Sequence, residues 1–446
     1  AAITEPPVLA MVDWLAMDFG ANIAPADERH YGWLYDIAAI RNLALTTHPR
    51  FAHDDLKNIA ANIDMGHAFN AALAAILPNI PSMADMEIVA EIARAFRAIP
   101  GGGLSIGNEP FGHTSGMWHF DTDLHLPLEF RWIEGELILL YANADYAHAI
   151  NHRLTAINGI PLADALAIFG DIWLYPDNYS LQRSFAENLD IWRLLVMGIG
   201  EDINRFTLAN SAGASIEIAP EPVPTRYIRL QHGRNEDEAA RPYRTHPRDE
   251  WFEFLEDEGI MYWRITHLMR QGSFAQNVAR LIRDNTAAGL IIDLRYATGH
   301  VADFHIEMLT DRKLPYLDAA QIIVLVNSDT QGGAADFALH IRDIGGQIIG
   351  EPIAAHTSPY YITTRTESGW RMVDGRQMAF NELRIPGQLQ LPHNPEFIFL
   401  TPNYLTRDPN TAPQTLTPHT TIHTTLTNWI NNQDPIFDYA IGRLAP

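Results

Sequence analysis

The chain has 446 residues, with 54 Asp and Glu against 31 Lys and Arg and a formal net charge of −23. That length allows roughly two to four domains with buried cores, and the charge disfavours nucleic acid, which is held by clustered positive charge. No cysteine is present, which excludes disulfides, thiolate-bound zinc and thiol nucleophiles, and no apolar run reaches the length of about 18 residues of a membrane-spanning helix.

The chain begins at Ala1 rather than Met, so a leader already removed and an extracellular or cell-envelope location are expected. Residues 28–100 read as helical. His30 to Leu45 carries Tyr31, Leu34, Ile37, Ile40 and Leu43 at spacings that predict an amphipathic helix, and Pro49 stops it. Asp54 is placed to cap a second helix, and Phe69 to Leu77 reads as a third. Ser82 with Asp85 resembles a capping box before the stripe Met86, Val89, Ile92, Ala93 and Phe96. The glycine-rich stretch 101–112 reads as a loop, since it lacks the preceding strand and spacing of a dinucleotide loop.

Strands are predicted over Leu126–Trp132 and Glu136–Tyr141 about a Glu134-Gly135 turn, and again from Arg153 to the Asn158-Gly159 turn, with a helix at Asp164–Phe169. These residues, 125–220, form a small β-rich domain after an N-terminal helical domain, 1–124. Residues 221–258 read as a long connector. From Ile260 the pattern alternates: a strand Ile260–Ile265, a helix Ser273–Asn285, strands Gly289–Leu294 and Ile322–Val326, a helix Gly333–Asp343 and a strand Gln347–Gly350. Such alternation predicts an α/β layer of parallel strands covered on both faces, within 221–446. The Thr-, Asn- and Pro-rich tail ends in an amphipathic stretch, Asp434–Leu444.

One unit carries chemistry. The buried strand ending in Ile292-Asp293-Leu294-Arg295 is followed by the small-residue loop Ala297-Thr298-Gly299-His300. The next buried strand then passes through Ser328-Asp329-Thr330-Gln331-Gly332-Gly333 directly into a helix. A strand, a tight turn and a helix N-terminus present unpaired amides that can hold an oxyanion. The same pattern also serves as an ordinary strand-to-helix turn. Asp293 and Arg295, at a strand end, read as a structural pair. His113, His119 and His125 recur every six residues, about 20 Å apart along a strand, too far to share a metal. His300 and His305 read as isolated histidines. The tryptophans, among them Trp118, Trp132, Trp173, Trp192 and Trp251, read as core or interface residues, a few of them fit to line a peptide groove.

The string Leu290-Ile-Ile-Asp-Leu-Arg295 resembles the strand-and-arginine signature of the tail-specific, or C-terminal-processing, serine peptidases and their tricorn-type relatives. The family's Thr-x-Ser-Ala-Ala/Ser-Glu motif reads here Thr330-Gln331-Gly332-Gly333-Ala334-Ala335-Asp336, and its Gly-Glu-x-Thr-Gly-Gly segment reads Gly350-Glu351-Pro352-Ile353-Ala354-Ala355. Gly112-His113-Thr114, Leu126–Trp132, Leu154–Gly159 and Thr427–Pro435 are similar to further family segments in the same order.

The resemblance implies an α/β, multi-domain α+β protein: an N-terminal helical domain, a PDZ-like β domain and a crotonase-like catalytic layer. It implies a serine endopeptidase that cleaves unfolded or terminal peptide segments through an acyl-enzyme, without metal or cofactor. Gly332 stands at the nucleophile position. Gly333 and Gly299 would form the oxyanion hole, His113 would be the general base, and Asp408 the orienting carboxylate. The tail-specific branch uses a lysine about two dozen residues after its serine, where this chain has His356, Thr357 and Ser358. The pair Pro418-His419 replaces an expected Pro-Asp. A glycine cannot attack a carbonyl, so the alternative is a non-catalytic peptide-binding protein on the same scaffold. An acyl-transfer or hydratase-like enzyme is a third reading, because related α/β layers host several chemistries.

Overall fold

Asp27 opens the first helix, accepting the His30 N–H at 2.7 Å. A computed structural model gives the structure, and it describes residues 25–52, 57, 59–99, 104–108, 124–173, 175, 177–224, 231–232, 250–268, 284, 287–299, 318–353, 360–361, 370–373, 376–379, 388–401, 404–405 and 416–444. Helix α1 (Glu28–Thr47) ends where His48 turns extended before Pro49, as the steric restriction on the residue before proline requires. It is buried on every side between Trp33 and Ile40, so the predicted stripe is one part of a central helix rather than of a surface one. Helices α2 (Ala60–Ile76) and α3 (Asp85–Ala95) complete this region. The cap of α3 differs from the one expected. Glu87 reaches back to the Ala84 N–H at 2.7 Å, whereas Ser82 donates to the Asn79 carbonyl of the preceding turn. Strand β1 (Ser105–Asn108) follows.

The β-rich region contains β2 (Leu128–Ile133), β3 (Glu136–Ala142), β4 (Arg153–Ile157), β5 (Phe206–Ala209) and β6 (Ser215–Ile218). Glu134 and Gly135, at φ 54° and 81°, close the β2–β3 hairpin; two left-handed residues match the twist of the flanking strands. Helices α4 (Leu162–Ile172), α5 (Asn178–Glu187) and α6 (Ile191–Val196) lie between β4 and β5 in sequence. β2 pairs only with β3 among the described residues, and the Trp132 indole binds the Gln182 carbonyl of α5 at 2.6 Å.

The main sheet is built from β7 (Glu250–Leu255), β8 (Ile260–Ile265), β9 (Gly289–Asp293), β10 (Ile322–Val326), β11 (Gln347–Gly350) and, after the tail returns, Thr420–Thr421. These strands are neighbours in that order. β7 and β8 are antiparallel and the remaining pairs are parallel. The end of the predicted connector is therefore the outermost strand of this sheet among the described residues. Five acids between Glu250 and Glu258 made it look like a linker, yet Trp251 packs inward.

Successive residues of the central strands point to opposite faces. Met261, Trp263, Leu290, Ile292, Val324 and Ile348 meet helix α7 (Gly333–Asp343) through Ala334, Phe337 and Ile341. Tyr262, Ile291, Ile323, Leu325 and Ile349 meet Ile436 and Phe437 on the other face. Both faces are covered, as the continuous apolar runs predicted.

The tail contributes more than its final helix. β12 (Gln388–Gln390) and β13 (Phe397–Leu400) form a three-stranded sheet with β1, and Phe397 packs against Trp33 and Trp192. β14 (Thr420–Thr421) is the sixth strand of the main sheet. α8 (Leu426–Ile430) packs Trp429 against Tyr141 of β3, and α9 (Pro435–Leu444) carries Ile436 and Phe437. The chain is thus a multi-domain α/β protein. The predicted helix Ser273–Asn285 lies almost wholly outside the described residues, as does Asp54.

Candidate active site

The turn at Val326–Gly333 is stitched to the loop after Arg295. Buried Thr330 donates its hydroxyl to the Leu294 carbonyl at 2.9 Å and accepts the Asn327 N–H at 3.1 Å. Asn327 accepts the Tyr296 N–H at 2.9 Å, and the Gln331 N–H binds the Ala297 carbonyl at 2.8 Å. Satisfied buried polar groups of this kind hold one conformation.

Gly332 sits at the apex as the N-cap of α7, at φ 56° and ψ −130°, a conformation that side chains adopt only under strain. The N–H groups of Ala334, Ala335 and Asp336 are taken up by the Gln331 and Gly332 carbonyls. The Gly333 N–H has no acceptor among the described residues, and it carries the positive end of the α7 dipole. The Gly350 segment abuts this turn. A Cβ on Gly350, at φ 133°, would lie 2.0 Å from the Val326 carbonyl oxygen, so only glycine lets β11 approach there.

Below the turn lies a buried ionic network. Asp293 accepts from Tyr262 at 2.7 Å, from Arg264 at 3.1 Å and from Arg295 at 2.7 and 2.9 Å. Burial pushes the Asp293 carboxyl up, but the Arg295 and Arg264 guanidiniums outweigh it and hold it at about 2. Burial, with Asp293 beside it, raises the Tyr262 phenol well above its usual range. Arg295 also binds Asp434 at 2.8 and 2.9 Å, and Asp434 caps α9 through the Phe437 N–H at 3.0 Å. The pair Asp293–Arg295 is structural. It joins the strand-and-arginine string to the tail string, which in sequence are unconnected.

A cleft of about 1140 Å³ opens between β2, α5 and the C-terminal ends of the main-sheet strands, the end at which open parallel sheets bind ligands. Trp132, Tyr179 and Trp429 line it, together with Ser328 and Asp329 of the turn. Arg131 of β2 forms an ion pair with Asp329, binds Glu129 at 2.8 Å and lies 4.3 Å from the Tyr296 ring centroid. Tyr296 itself holds φ 65°.

Of the residues singled out in the sequence, Gly332 and Gly333 stand together at the turn. Gly299 runs in a two-residue parallel ladder, Thr298–Gly299 with His267–Leu268. His113, His119, Asp408, His300, His305, His356, Thr357, Ser358 and Trp118 lie outside the described residues. His419 puts its imidazole where it accepts the Ile348 N–H at 2.9 Å, which gives the Pro418-His419 departure a structural use. Arg131, Asp329 and Glu351 were missed. Arg131 and Asp329 are 198 positions apart, and nothing local to either predicts the other. No group of three metal-ligating side chains occurs among the described residues.

No family model and no curated protein matches the sequence. Among solved structures, a serine-to-alanine variant of CPAF matches with a TM-score of 0.56 at 9% identity, over 93% of this chain and 96% of that one. Mature CPAF in complex with lactacystin matches with a TM-score of 0.54 at 10% identity, over 94% and 98%. At such identities the likeness is one of fold, and it extends over nearly the whole of both chains. A photosystem II D1 C-terminal processing protease also matches, with a TM-score of 0.40 at 11% identity, over 89% and 94%.

Proposed function

We propose that this chain is a peptidase of the tail-specific kind in its architecture, with the cleft as the seat of an unfolded or terminal peptide segment and the turn at Gln331–Gly333 as the acyl-transfer centre. The observation that carries this reading is the backbone at Gly332 and Gly333. A positive-φ apex between strand and helix is how hydrolases expose a nucleophile, and the Gly333 amide beside it, without an acceptor among the described residues, is available as an oxyanion donor. β2, which pairs only with β3 among the described residues, offers the peptide a strand edge, to which an extended segment adds by main-chain hydrogen bonds. A nucleophile at 332 would attack the scissile carbonyl while the Gly333 N–H takes up the developing charge. In the resemblance, His113 accepts the proton.

A second reading is favoured by one specific observation: Gly332 has no side chain to form an acyl-enzyme. On that reading the chain as it stands grips peptide without cutting it.

The Gly332→Ser variant tests both readings. The acyl-transfer reading expects the folded variant to label with a fluorophosphonate at position 332 and to hydrolyse unfolded casein, while the native chain binds the casein and leaves it intact. A folded variant that neither labels nor cleaves removes the acyl-transfer reading and leaves the binding one. Absence of peptide binding by either protein removes both.

A further inference from the structure

The charges of the cleft are unevenly matched. Its lining includes four arginines and six carboxylates. Each arginine already faces an acid: Arg131 faces Asp329 and Glu129, Arg183 faces Glu187, and Arg264 and Arg295 face Asp293. Two of the acids are occupied by backbone donors. Glu134 accepts the Leu426 N–H at 3.1 Å, and Asp190 accepts the Arg193 N–H at 2.7 Å.

Glu351 likewise gives one oxygen to a backbone donor, and it forms no ion pair with an arginine of the cleft among the described residues. Its Oε1 accepts the Thr424 N–H at 3.1 Å, and no donor or cation reaches Oε2 among the described residues. Burial pushes this carboxyl up, an effect that the Thr424 N–H and the nearby His423 oppose and Asp329 reinforces. An anion short of hydration and of partners is stabilised by an incoming cation more than an exposed one is.

Its place in the fold matters as much. Glu351 follows β11, and its N–H binds the Val326 carbonyl at 3.1 Å, at the root of the turn that leads to Gly332. A side chain held by Glu351 therefore sits in the cleft, whose lining reaches the turn at Ser328 and Asp329.

We propose that Glu351 is the specificity-determining residue of the cleft and that it selects peptide segments carrying a lysine or arginine side chain. The proposal rests on the peptide-binding reading above and adds the substrate class to it. An ammonium or guanidinium at Glu351 gains a charge-assisted hydrogen bond, while its aliphatic stem meets apolar lining of the cleft such as Ile133 and Trp429. The net charge of −23 draws cationic segments toward the chain from a distance. A neutral side chain of the same length leaves the carboxylate unmatched.

The test is fluorescence anisotropy of the native chain with two unfolded peptides of equal length, one bearing lysines and the other bearing norleucine at the same positions. The lysine peptide is expected to bind about tenfold more tightly, a charge-assisted bond's worth. Glu351→Gln should bring the two affinities to within about twofold of each other. Glu217→Gln, an exposed carboxylate on β6, should leave the preference intact, which separates a local contact from the field of the whole chain. Glu351→Asp, read beside Glu351→Gln with circular dichroism as the check on folding, should fall between native and Gln. The native contrast alone requires no variant to fold. Equal binding of the two peptides by the native chain overturns the proposal and spares the peptide-binding reading, as does a preference that survives in Glu351→Gln. Failure of both peptides to bind overturns the two together.

Discussion

Gly350 and Gly332 are both glycines at positive φ, and the two play different parts. At Gly350 a Cβ would collide with the Val326 carbonyl oxygen, which is backbone and cannot swing aside. Gly350→Ala should therefore cost at least about 2 kcal/mol, read as a lowered denaturant midpoint, and should disturb the turn that begins at Asn327. At Gly332 the strain is of backbone conformation. A serine there is expected to carry about 1–3 kcal/mol of it, a cost that the Gly332→Ser variant must bear to gain a nucleophile. Thr330 and Asn327 hold that conformation from outside, through bonds to the Leu294 carbonyl and the Tyr296 N–H. In the sequence these residues could be seen to form a strand-to-helix turn. Their partners on the neighbouring loop could not, because a hydroxyl carries no mark of which carbonyl it will meet.

At the scale of elements, α1 is tied to the β12–β13 connection through one carboxylate. Asp36 is buried in α1 and accepts the His393 N–H at 3.1 Å, the Asn394 N–H at 3.0 Å and the Asn394 side-chain amide at 2.7 Å. Burial raises its pKa from 3.8 to about 6 against the pull of these donors. The folded chain therefore binds this proton more tightly than the unfolded chain does. The corresponding stability is fully present below about pH 4 and is lost as the pH rises through about 6, by roughly 3 kcal/mol between the limits. The difference in unfolding free energy between native chain and Asp36→Asn, measured by urea denaturation from pH 4 to 7, should follow that window. A flat difference would show that Asp36 does not titrate there. The helix itself was legible from its apolar spacing and from Pro49. Its burial on all sides was not, because part of its cover, at His393 and Asn394, comes from about 360 positions later in the chain.

For the whole molecule, the C-terminal segment is the fastener. β13 joins the N-terminal helices, β14 and α9 complete the main sheet, and α8 sets Trp429 edge-on against Tyr141 of the β-rich region with ring centroids 5.6 Å apart. Trp429→Ala should cost about 3–5 kcal/mol, and the loss should appear as faster amide exchange at both Tyr141 and α8, the two segments it joins. Exchange that rises in α8 alone would mean that the cleft is braced elsewhere, with the Arg131–Asp329 ion pair as the next contact to remove.

Local order came through in the amino acids themselves. The central strands Ile260–Ile265, Gly289–Asp293, Ile322–Val326 and Gln347–Gly350, the helix Gly333–Asp343 and the hairpin at Glu134-Gly135 all follow from side-chain period and turn chemistry, which act over a few residues. So did the multi-domain α/β class. The acid-rich strand Glu250–Leu255, the return of residues 388–400 to the N-terminal helices, the pairing of Arg295 with Asp434 and the cleft lined by Glu351 needed the folded chain. Each depends on groups brought together from far apart, and a contact across hundreds of residues is decided by which surfaces pack and which charges must be matched once water is excluded.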